Sequence, residues 1–444
     1  MDSFILRKRR RVEVEPTPSA VEQPEDSTDF KLAVLSSLHP AAEASDLLEA
    51  LLAAEGSVEY ASDLLKQNGR LADPRKRIKS SALGNQSSLS DFSITSGNES
   101  GRRKVPLTRR GKTLHLYTPE DIEEHTPCTI IHNFLPAQEA EALLRELLPE
   151  SCTYEKSTFK LFDRVVESPH TMRFYVDSWD EAEKQKTEYV YDGSKIEDVR
   201  KSLPEMLKVS AKVKETVNRE VQRRIKEFYP NGEKLKYQSP DEWLPNCSFV
   251  NCYDGPQESV GYHADQLTYL GPRAIIGSLS LGVAREFRVR RVVARDEETT
   301  SASKATTDRA DTEGQIAIHL PHNSLLIMHA EMQEEWNHSI APAQVINPHP
   351  IAGNKRLNIT YRCYKDFLHP KYTPRCKCNV PCVLRSVRKR KENRGKYTWT
   401  CHAHYVPGQD GCSYFQWAEF DDDGYPPWVK KNIDEKKPMN KNVG

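Results

Sequence analysis

Apolar residues recur at helical spacing near the start of the chain. Phe30, Val34 and Leu38 stand four residues apart, and pairs of leucines continue the pattern before it fades. Proline and glycine interrupt it twice, so we predict a bundle of three short helices over residues 29–68. Because about 40 residues form only a marginal core, such a bundle suits binding better than catalysis.

Two longer stretches also repeat apolar residues at helical spacing. One begins after Pro136 and is expected to end at Pro149, because proline breaks a helix. The other covers residues 204–228 and stops before Pro230. Each stretch has one apolar face, so we expect both helices to cover the outer face of a sheet.

The segment RLNITYR at 356–362 alternates polar and apolar residues, as a strand does. Its polar face carries Arg356, Asn358, Thr360 and Arg362. Two arginines on a buried strand face are costly unless they are paired with anions. A small dicarboxylate is such a partner, because a guanidinium group binds a carboxylate through two hydrogen bonds.

Another strand-like segment brings two metal-binding side chains to one side of the chain. His263 and Asp265 share a strand face, with Ala264 between them. One more neutral imidazole would complete a 2-His-1-carboxylate site for Fe(II), which leaves positions open for a co-substrate and oxygen. Four candidates for that third ligand precede the arginine strand: His319, His322, His329 and His338.

Charge is balanced over the whole chain, with 64 Lys+Arg against 64 Asp+Glu, so net charge predicts no partner. No apolar run approaches the roughly 20 residues of a membrane helix, and no apolar stretch follows the basic N-terminus. We therefore expect an intracellular protein. A basic run at residues 7–11 is typical of a nuclear import signal or a phosphate-binding arm, with a merely solvated charge run as the alternative.

Five of the ten cysteines lie between Cys376 and Cys412. In a reducing compartment such clustering favours metal binding over disulfides. Four thiolates are enough to close a tetrahedral structural zinc site, and the candidates are Cys376, Cys378, Cys401 and Cys412. The scattered cysteines are expected to be ordinary buried thiols: Cys128, Cys152, Cys247, Cys252 and Cys363.

The same C-terminal region is rich in basic and aromatic residues, with ten Lys/Arg against one acid between Lys371 and Lys396. A protein that binds single-stranded nucleic acid requires positive charge to contact the phosphates and aromatic rings on which the bases stack. The candidate contacts are Arg388, Lys389, Arg390, Lys391, Tyr397, Phe415 and Trp417. The alternative is a zinc module with a solvated basic face and a small aromatic core.

Six motif pieces in the middle of the chain resemble, in order and spacing, the AlkB family of Fe(II)/2-oxoglutarate dioxygenases. They are Asn251-x-Tyr253, His263-x-Asp265, SLSLG at 278–282, Arg285-x-Phe287, Trp336-x-His338 and Arg356-x-Asn358-x-Thr360-x-Arg362. The resemblance covers roughly residues 125–368. It implies an α+β fold, a double-stranded β-helix or jelly-roll core with supporting helices.

The resemblance also implies roles for individual residues. His338 becomes the third iron ligand beside His263 and Asp265. The co-substrate 2-oxoglutarate would be held by Asn251, Tyr253, Arg356, Asn358 and Arg362. Residues 161–175 correspond to the lid that grips the nucleotide in AlkB-like proteins.

Two further resemblances concern the ends of the chain. Residues 29–68 are similar to the CUE/UBA class of ubiquitin-binding bundles, with Leu38-His39-Pro40 and a closing Leu64-Leu65. Residues 374–420 resemble the GRF zinc finger, through Asn393 to Tyr397, Cys401, and Cys412 to Trp417. In that register Cys382 is not a zinc ligand.

The predicted organisation is therefore modular: a disordered basic segment over 1–28, the bundle over 29–68, a linker over 69–124, the oxygenase over 125–368, the finger over 374–420 and a disordered tail over 421–444. A polar surface insertion is expected at 296–314.

The predicted function is nuclear DNA alkylation repair: oxidative demethylation of N-alkylated nucleobases, preferably single-stranded, with release of formaldehyde and succinate. RNA demethylation by the same chemistry, a ubiquitin or nucleic-acid reader with an inactive oxygenase domain, and an oxygenase acting on protein are the alternatives.

Overall fold

The computed structural model describes residues 113–161, 164–185, 190–191, 194–195, 198–292, 314–388, 390–406 and 408–429, together with nine positions between 35 and 65. Two compact units divide the chain, Met1–Ala82 and Leu83–Gly444. The predicted basic segment at 1–28, most of the linker, and the polar insertion up to residue 313 lie outside the described residues.

In the first unit, the described side chains include a small apolar cluster. Leu35, Leu47, Leu51 and Ala61 are buried, and Leu64 and Leu65 pack against them. The helix boundaries lie outside the described residues, so the three-helix bundle over 29–68 stays a prediction.

The second unit contains strands, helices and short 3₁₀ turns. In chain order its strands and α-helices are β1 (Thr113–Leu116), α1 (Pro119–His125), β2 (Cys128–Ile131), α2 (Ala137–Ser151), β3 (Glu155–Leu161), β4 (Arg164–Val176), α3 (Trp179–Gln185), β5 (Val190–Tyr191), β6 (Ser194–Lys195), β7 (Val199–Lys201), α4 (Pro204–Phe228), β8 (Cys247–Asp254), β9 (Val260–His263), β10 (Ile276–Gly282), β11 (Arg285–Arg291), β12 (Gln315–Leu320), β13 (Ser324–Met328), α5 (Met332–Glu335), β14 (Trp336–Ile340), β15 (Lys355–Arg362), β16 (Val383–Ser386), β17 (Tyr397–Thr400) and β18 (Phe415–Ala418).

Two sheets form the centre of this unit. The major sheet has the order β2-β13-β10-β15-β8-β4-β3, with β7 beside β4, and the minor sheet has the order β1-β12-β11-β14-β9. Apolar side chains of both sheets share one core: Phe249 and Leu326 come from the major sheet, and Phe287 and Ile318 from the minor one. This sheet-on-sheet packing is the predicted jelly-roll arrangement.

The helices α2 and α4 cover the other face of the major sheet, as their apolar faces predict. Leu143 on α2 and Val213 on α4 belong to one buried cluster with Leu357 and Ile359 of β15. Helix α4 ends at Phe228, just before Pro230, as expected. Helix α2 was expected to end at Pro149, but it continues to Ser151, because a proline in the last turn removes little of the helix.

The predicted linker over 69–124 extends too far. Strand β1 pairs in parallel with β12, with Thr113 opposite Gln315, and so belongs to the minor sheet. Helix α1 follows, with the Thr118 side chain capping it by accepting from the backbone N–H of Asp121. The folded unit therefore begins with β1, before residue 125. This strand is too short to show a clear alternation of apolar and polar residues in the sequence.

The cysteine-rich module forms a three-stranded sheet, β16-β17-β18. Leu384 and Trp399 of this sheet are buried in the same core as the two large sheets, so the module is docked on the oxygenase part. Its inner residues are shielded by another domain, which the sequence pattern did not show.

The predicted disordered tail is wrong for residues 421–429. Trp428 donates its indole N–H to the Phe367 carbonyl at 2.8 Å. Gly424 has φ of 79°, and a Cβ there would approach the Tyr237 carbonyl oxygen to 2.4 Å, so glycine is required for this close contact. The segment 421–429 is packed against the rest of the unit; residues 430–444 lie outside the described residues.

No helix within the described ranges is long and apolar enough to cross a membrane.

Candidate active site and cysteine cluster

Three predicted metal ligands meet at the edge of the minor sheet. His263 ends β9 and stands directly opposite His338 of β14. The two imidazole Nε2 atoms lie 3.7 Å (His263) and 3.4 Å (His338) from Oδ1 of Asp265, and one ligand atom from each residue lies within 4.8 Å of the others. Register between two strands, rather than sequence distance, brings these residues together.

Hydrogen bonds hold His263 and Asp265 in the form that a metal needs. His263 Nδ1 lies 2.8 Å from the Gly261 carbonyl, which as an acceptor fixes the proton on Nδ1 and leaves the Nε2 lone pair for the metal. Asp265 Oδ2 accepts from Arg362 Nε at 3.0 Å and from Nη2 at 2.6 Å. Oδ1 is therefore the carboxylate oxygen directed at the two histidines.

Protonation states agree with this arrangement. Burial opposes ionisation of Asp265, but Arg362 and the two neighbouring imidazoles outweigh it and hold its pKa well below the usual value. Desolvation in the cavity and the neighbouring His338 lower the pKa of His263, against the opposite effect of Asp265. The site thus carries an ionised carboxylate and a neutral imidazole near neutral pH, as Fe(II) ligation requires.

Arg356 is the strongest indication of an anionic ligand. Its side chain is 1% exposed, and Nη2 donates to Ser280 Oγ at 2.9 Å. Nε and Nη1 have no hydrogen-bond partner among the described residues. Because a buried guanidinium with unused donors is costly, a carboxylate in the adjoining cavity fits this position.

The SLSLG segment supports this strand from its neighbour β10. Asn358 donates to Ser278 Oγ at 2.8 Å, and Ser280 accepts from Arg356. Gly282 ends the strand with φ of 85°, and a Cβ there would lie 2.3 Å from the Lys355 carbonyl oxygen. Both serines thus orient polar side chains of β15, and the glycine permits close passage of the chain.

Arg362 contacts a metal ligand as well as lining the cavity in which the co-substrate was expected. Its Nε and Nη2 both donate to Asp265 Oδ2, which the sequence did not show, and its predicted contact with the co-substrate stays a prediction. It therefore orients and ionises a metal ligand. The spacing along β15 placed both arginines on the correct face but could not tell which anion each one meets.

The remaining predicted co-substrate residues also lie in this region. Asn251 Oδ1 lies 3.2 Å from His170 Nε2 on β4, and the His170 ring stacks on Tyr253. The Arg356 guanidinium lies 5.2 Å from the Tyr253 ring centre. Burial of this pair of arginine and phenol lowers the pKa of Arg356 to about 10 and raises that of Tyr253 to about 12.

A cavity of about 630 Å³ connects these groups, a size typical of small-molecule sites. Its wall includes residues that sequence reasoning did not select: His170, Met172, Tyr262, Arg385 and Tyr405. His170 and Met172 belong to the predicted lid segment 161–175, which forms the β3–β4 hairpin. Alternation along β4 places His170 and Met172 on one face and buried Tyr175 on the other, a signal that could have identified the two cavity-facing residues.

The other candidate histidines lie elsewhere. His319 is on the outer face of the minor sheet, with Nε2 3.1 Å from His115 Nδ1. His322 accepts from the Gly282 backbone N–H, and buried His329 bonds Thr129 at 2.9 Å. Of these four candidates, His338 alone reaches the Asp265 carboxylate.

The four selected cysteines form a second cluster. Cys376 Sγ and Cys401 Sγ are 3.5 Å apart, and the four sulfurs, including Cys378 and Cys412, lie within 4.8 Å of one another. Zinc–sulfur bonds of about 2.3 Å in a tetrahedron separate the sulfurs by about 3.8 Å, which this cluster approaches. Cys382 is buried but lies outside the cluster.

The predicted nucleic-acid contacts differ in how exposed their side chains are. Phe415 and Trp417 are 56% and 44% exposed, and Arg390 is exposed, so all three are accessible. Lys389 and the Lys391 side chain lie outside the described residues.

Tyr397 and Arg388 were predicted as nucleic-acid contacts, but both hold the module on the oxygenase part. Tyr397 is 2% exposed and donates to Glu334 Oε1 at 2.9 Å. Arg388 Nη2 donates to the Trp336 carbonyl at 2.8 Å. Composition identified basic and aromatic residues but not which of them face inward.

The family model described as "2OG-Fe(II) oxygenase superfamily" matches residues 127–362. The chain is 31% identical over 124 residues to "DNA oxidative demethylase ALKBH2" of Arabidopsis thaliana, which covers 26% of this chain and 37% of that protein. It is 32% identical over 117 residues to "Alpha-ketoglutarate-dependent dioxygenase alkB homolog 3" of Homo sapiens, which covers 26% and 36%.

The chain thus spans little more than a third of the length of these curated relatives. A solved structure titled "The structure of OsALKBH1" is 18% identical, with a TM-score of 0.35, and the match covers 54% of this chain and 98% of that one.

Proposed function

The chain belongs to the 2OG-Fe(II) oxygenase superfamily, and on that premise we propose that it removes methyl groups from N-alkylated nucleobases in nucleic acid. The observation that carries the proposal is the cavity that joins the His263–Asp265–His338 cluster, the unused donors of Arg356 and a wall of aromatic side chains.

Each part of the cavity has a task in this reaction. Two histidines and Asp265 hold Fe(II), and Arg356 binds a carboxylate of 2-oxoglutarate. Bound iron, with 2-oxoglutarate and O₂, supplies the oxidant that hydroxylates the N-methyl group, while 2-oxoglutarate becomes succinate and CO₂. The hydroxymethyl product then loses formaldehyde as its C–N bond breaks: the electron pair returns to nitrogen, and the hydroxyl proton goes to that nitrogen or, from a cationic base, to solvent. The protein therefore needs no nucleophile of its own.

The substrate end of the cavity suits a flat, extruded base. Met172 and Tyr262 contribute apolar and aromatic wall to the cavity, beside the residues expected to hold the co-substrate. Enzymes that modify a nucleobase take it out of the stack into such a pocket, at least cost when the strand is already single. The names of the two relatives, a DNA oxidative demethylase and an alkB homolog, support the same substrate class.

Other readings receive less support. A reader with an inactive oxygenase domain would be expected to lack a metal ligand or an arginine, and these side chains are all brought together here. A protein substrate fits poorly with the exposed basic and aromatic residues near Phe415 and Trp417.

Product analysis tests the proposal. Wild-type protein with Fe(II), ascorbate and 2-oxoglutarate should release formaldehyde and succinate in equal amounts from N-methylated single-stranded DNA or RNA oligonucleotides. His263→Ala should abolish release, whereas His319→Ala, a histidine change outside the cavity, should not. Release of succinate without formaldehyde from every methylated oligonucleotide would exclude the proposed substrate class.

We further propose that the cysteine cluster binds Zn²⁺ and that Arg390, Phe415 and Trp417 contact single-stranded nucleic acid. Four clustered sulfurs and exposed rings support these assignments. Nuclear location through the basic run at 7–11 and ubiquitin binding through 29–68 stay proposals from the sequence, because both rest on residues outside the described ranges.

A further inference from the structure

The cysteine-rich module supplies part of the active-site wall. Arg385 on β16 and Tyr405, in the turn Ala403–Tyr405, line the same cavity as His263 and Asp265. Leu384 beside Arg385 is buried, so alternation along β16 turns Arg385 outward. Its guanidinium lies 4.5 Å from the centre of the Tyr405 ring, a cation–π contact that holds it at the cavity.

The module is attached to both segments that carry the metal ligands. The Leu384 backbone N–H donates to Thr268 Oγ1 at 3.3 Å, and Thr268 follows Asp265 by three residues. Arg388 Nη2 donates to Asn337 Oδ1 at 2.5 Å, next to His338. These contacts fix β16, and with it Arg385, relative to the metal site.

The module also contacts the hairpin that forms another part of the cavity wall. The turn Ala403–Tyr405 lies against β3. Ser157 of β3 lines the cavity, and its backbone N–H donates to Ser168 Oγ at 3.0 Å across the hairpin. One cavity is therefore enclosed jointly by the two sheets, the hairpin and the cysteine module.

Arg385 has the properties of a phosphate-binding residue. It is exposed, and among the described residues it forms no ion pair that would neutralise it. Guanidinium groups bind phosphate oxygens through paired, charge-assisted hydrogen bonds. The groups of the substrate that lie outside a base pocket are the phosphates and bases of the neighbouring nucleotides.

We propose that Arg385 and Tyr405 form a subsite for the nucleotide next to the methylated base: Arg385 binds its phosphate, and the Tyr405 ring holds Arg385 in place. This inference rests on the proposed function. The cysteine module is then part of the substrate site of the oxygenase, in addition to any separate grip on nucleic acid.

The test compares substrates with and without a neighbouring nucleotide. Arg385→Gln should lower kcat/KM on an N-methylated pentanucleotide roughly tenfold, the loss expected for one charge-assisted hydrogen bond. The same variant should match wild type on the corresponding methylated nucleoside, which has no phosphate. Tyr405→Ala should behave like Arg385→Gln, and Tyr405→Phe, which keeps the ring, should behave like wild type.

Arg145→Gln is the matched control, because Arg145 is an exposed arginine on α2, behind the major sheet. Near-UV circular dichroism, to which buried Trp399 of the module contributes, shows whether each variant keeps the wild-type fold. The subsite would be overturned if wild type and Arg385→Gln had equal kcat/KM on the pentanucleotide. It would also be overturned if Arg385→Gln lost as much kcat/KM on the nucleoside as on the pentanucleotide.

Direct binding separates this inference from the proposed function. Fluorescence anisotropy with a labelled pentanucleotide should show weaker binding by Arg385→Gln, without any turnover. If wild type released no formaldehyde yet lost affinity on this substitution, demethylation would fail and the subsite would stand. If wild type demethylated the pentanucleotide, but wild type and Arg385→Gln bound it equally well, the subsite alone would fail.

Discussion

Exchange of each β15 arginine for lysine should separate co-substrate binding from iron binding. Arg356 uses one of its N–H donors on Ser280 and leaves Nε and Nη1 for a ligand. Lysine keeps the charge but loses the planar group, and hence at least one charge-assisted hydrogen bond worth roughly 1.5–3 kcal/mol. The Kd for 2-oxoglutarate should therefore rise about 10- to 100-fold.

Arg362→Lys should give a different result. Because Arg362 Nε and Nη2 both donate to Asp265 Oδ2, the substitution disturbs the carboxylate that holds the metal. We expect weaker retention of Fe(II), with 2-oxoglutarate affinity at saturating iron changed much less than in Arg356→Lys.

Anaerobic titration calorimetry measures both quantities without turnover: Fe(II) into apoprotein, then 2-oxoglutarate into the iron-loaded protein. Circular dichroism controls for folding. An unchanged Kd for 2-oxoglutarate in Arg356→Lys would refute the inference that the unused donors of Arg356 bind a carboxylate of 2-oxoglutarate. Equal effects of the two substitutions on iron would refute the division of roles between the arginines.

Three further predictions follow from burial and exposure. Burial holds the pKa of His329 well below its usual value, so only the unfolded state gains a proton below about pH 6.5, and stability falls as the pH falls. Between about pH 7.5 and 5.5, wild type should lose about 1.4 kcal/mol more unfolding free energy than His329→Gln in urea titrations; equal losses would contradict this. Tyr397→Phe removes the hydrogen bond to Glu334 and should destabilise the protein by roughly 1–2 kcal/mol without weakening single-strand binding. Reduced binding with unchanged stability would restore Tyr397 as a nucleic-acid contact. Phe415→Ala or Trp417→Ala should show the opposite pattern, weakening single-strand binding by about 1–3 kcal/mol at unchanged stability, and unaltered affinity in both variants would remove these rings from the interface.

Local periodicity determined several features from the sequence alone. A period of two placed Arg356 and Arg362 on one face of β15, and a helical period placed α4 within 204–228. Such patterns are readable because a strand or helix that covers a core must repeat its apolar residues at the spacing of its own geometry. Four clustered cysteines indicated a metal site by their residue type, whereas His263-x-Asp265 indicated one only together with the other motif pieces along the chain.

Tertiary structure decided what meets across the sheets. His263 and His338 become neighbours through the register of β9 and β14, and Arg362 meets Asp265 because β15 lies in the facing sheet. The sequence pattern contains no information on inter-strand register over 75 residues. The AlkB-like motif order suggested His338, but only the pairing of strands places it beside the Asp265 carboxylate.

The same limit explains the errors in the C-terminal region. Arg388 and Tyr397 have the residue types of a nucleic-acid surface, yet their side chains are covered by Trp336 and Glu334 of another part of the chain. Arg385, in the same basic run, instead reaches the active-site cavity. Residue type sets what a side chain can bind, but docking of one module on another decides which partner it meets, because burial depends on surfaces far apart in sequence.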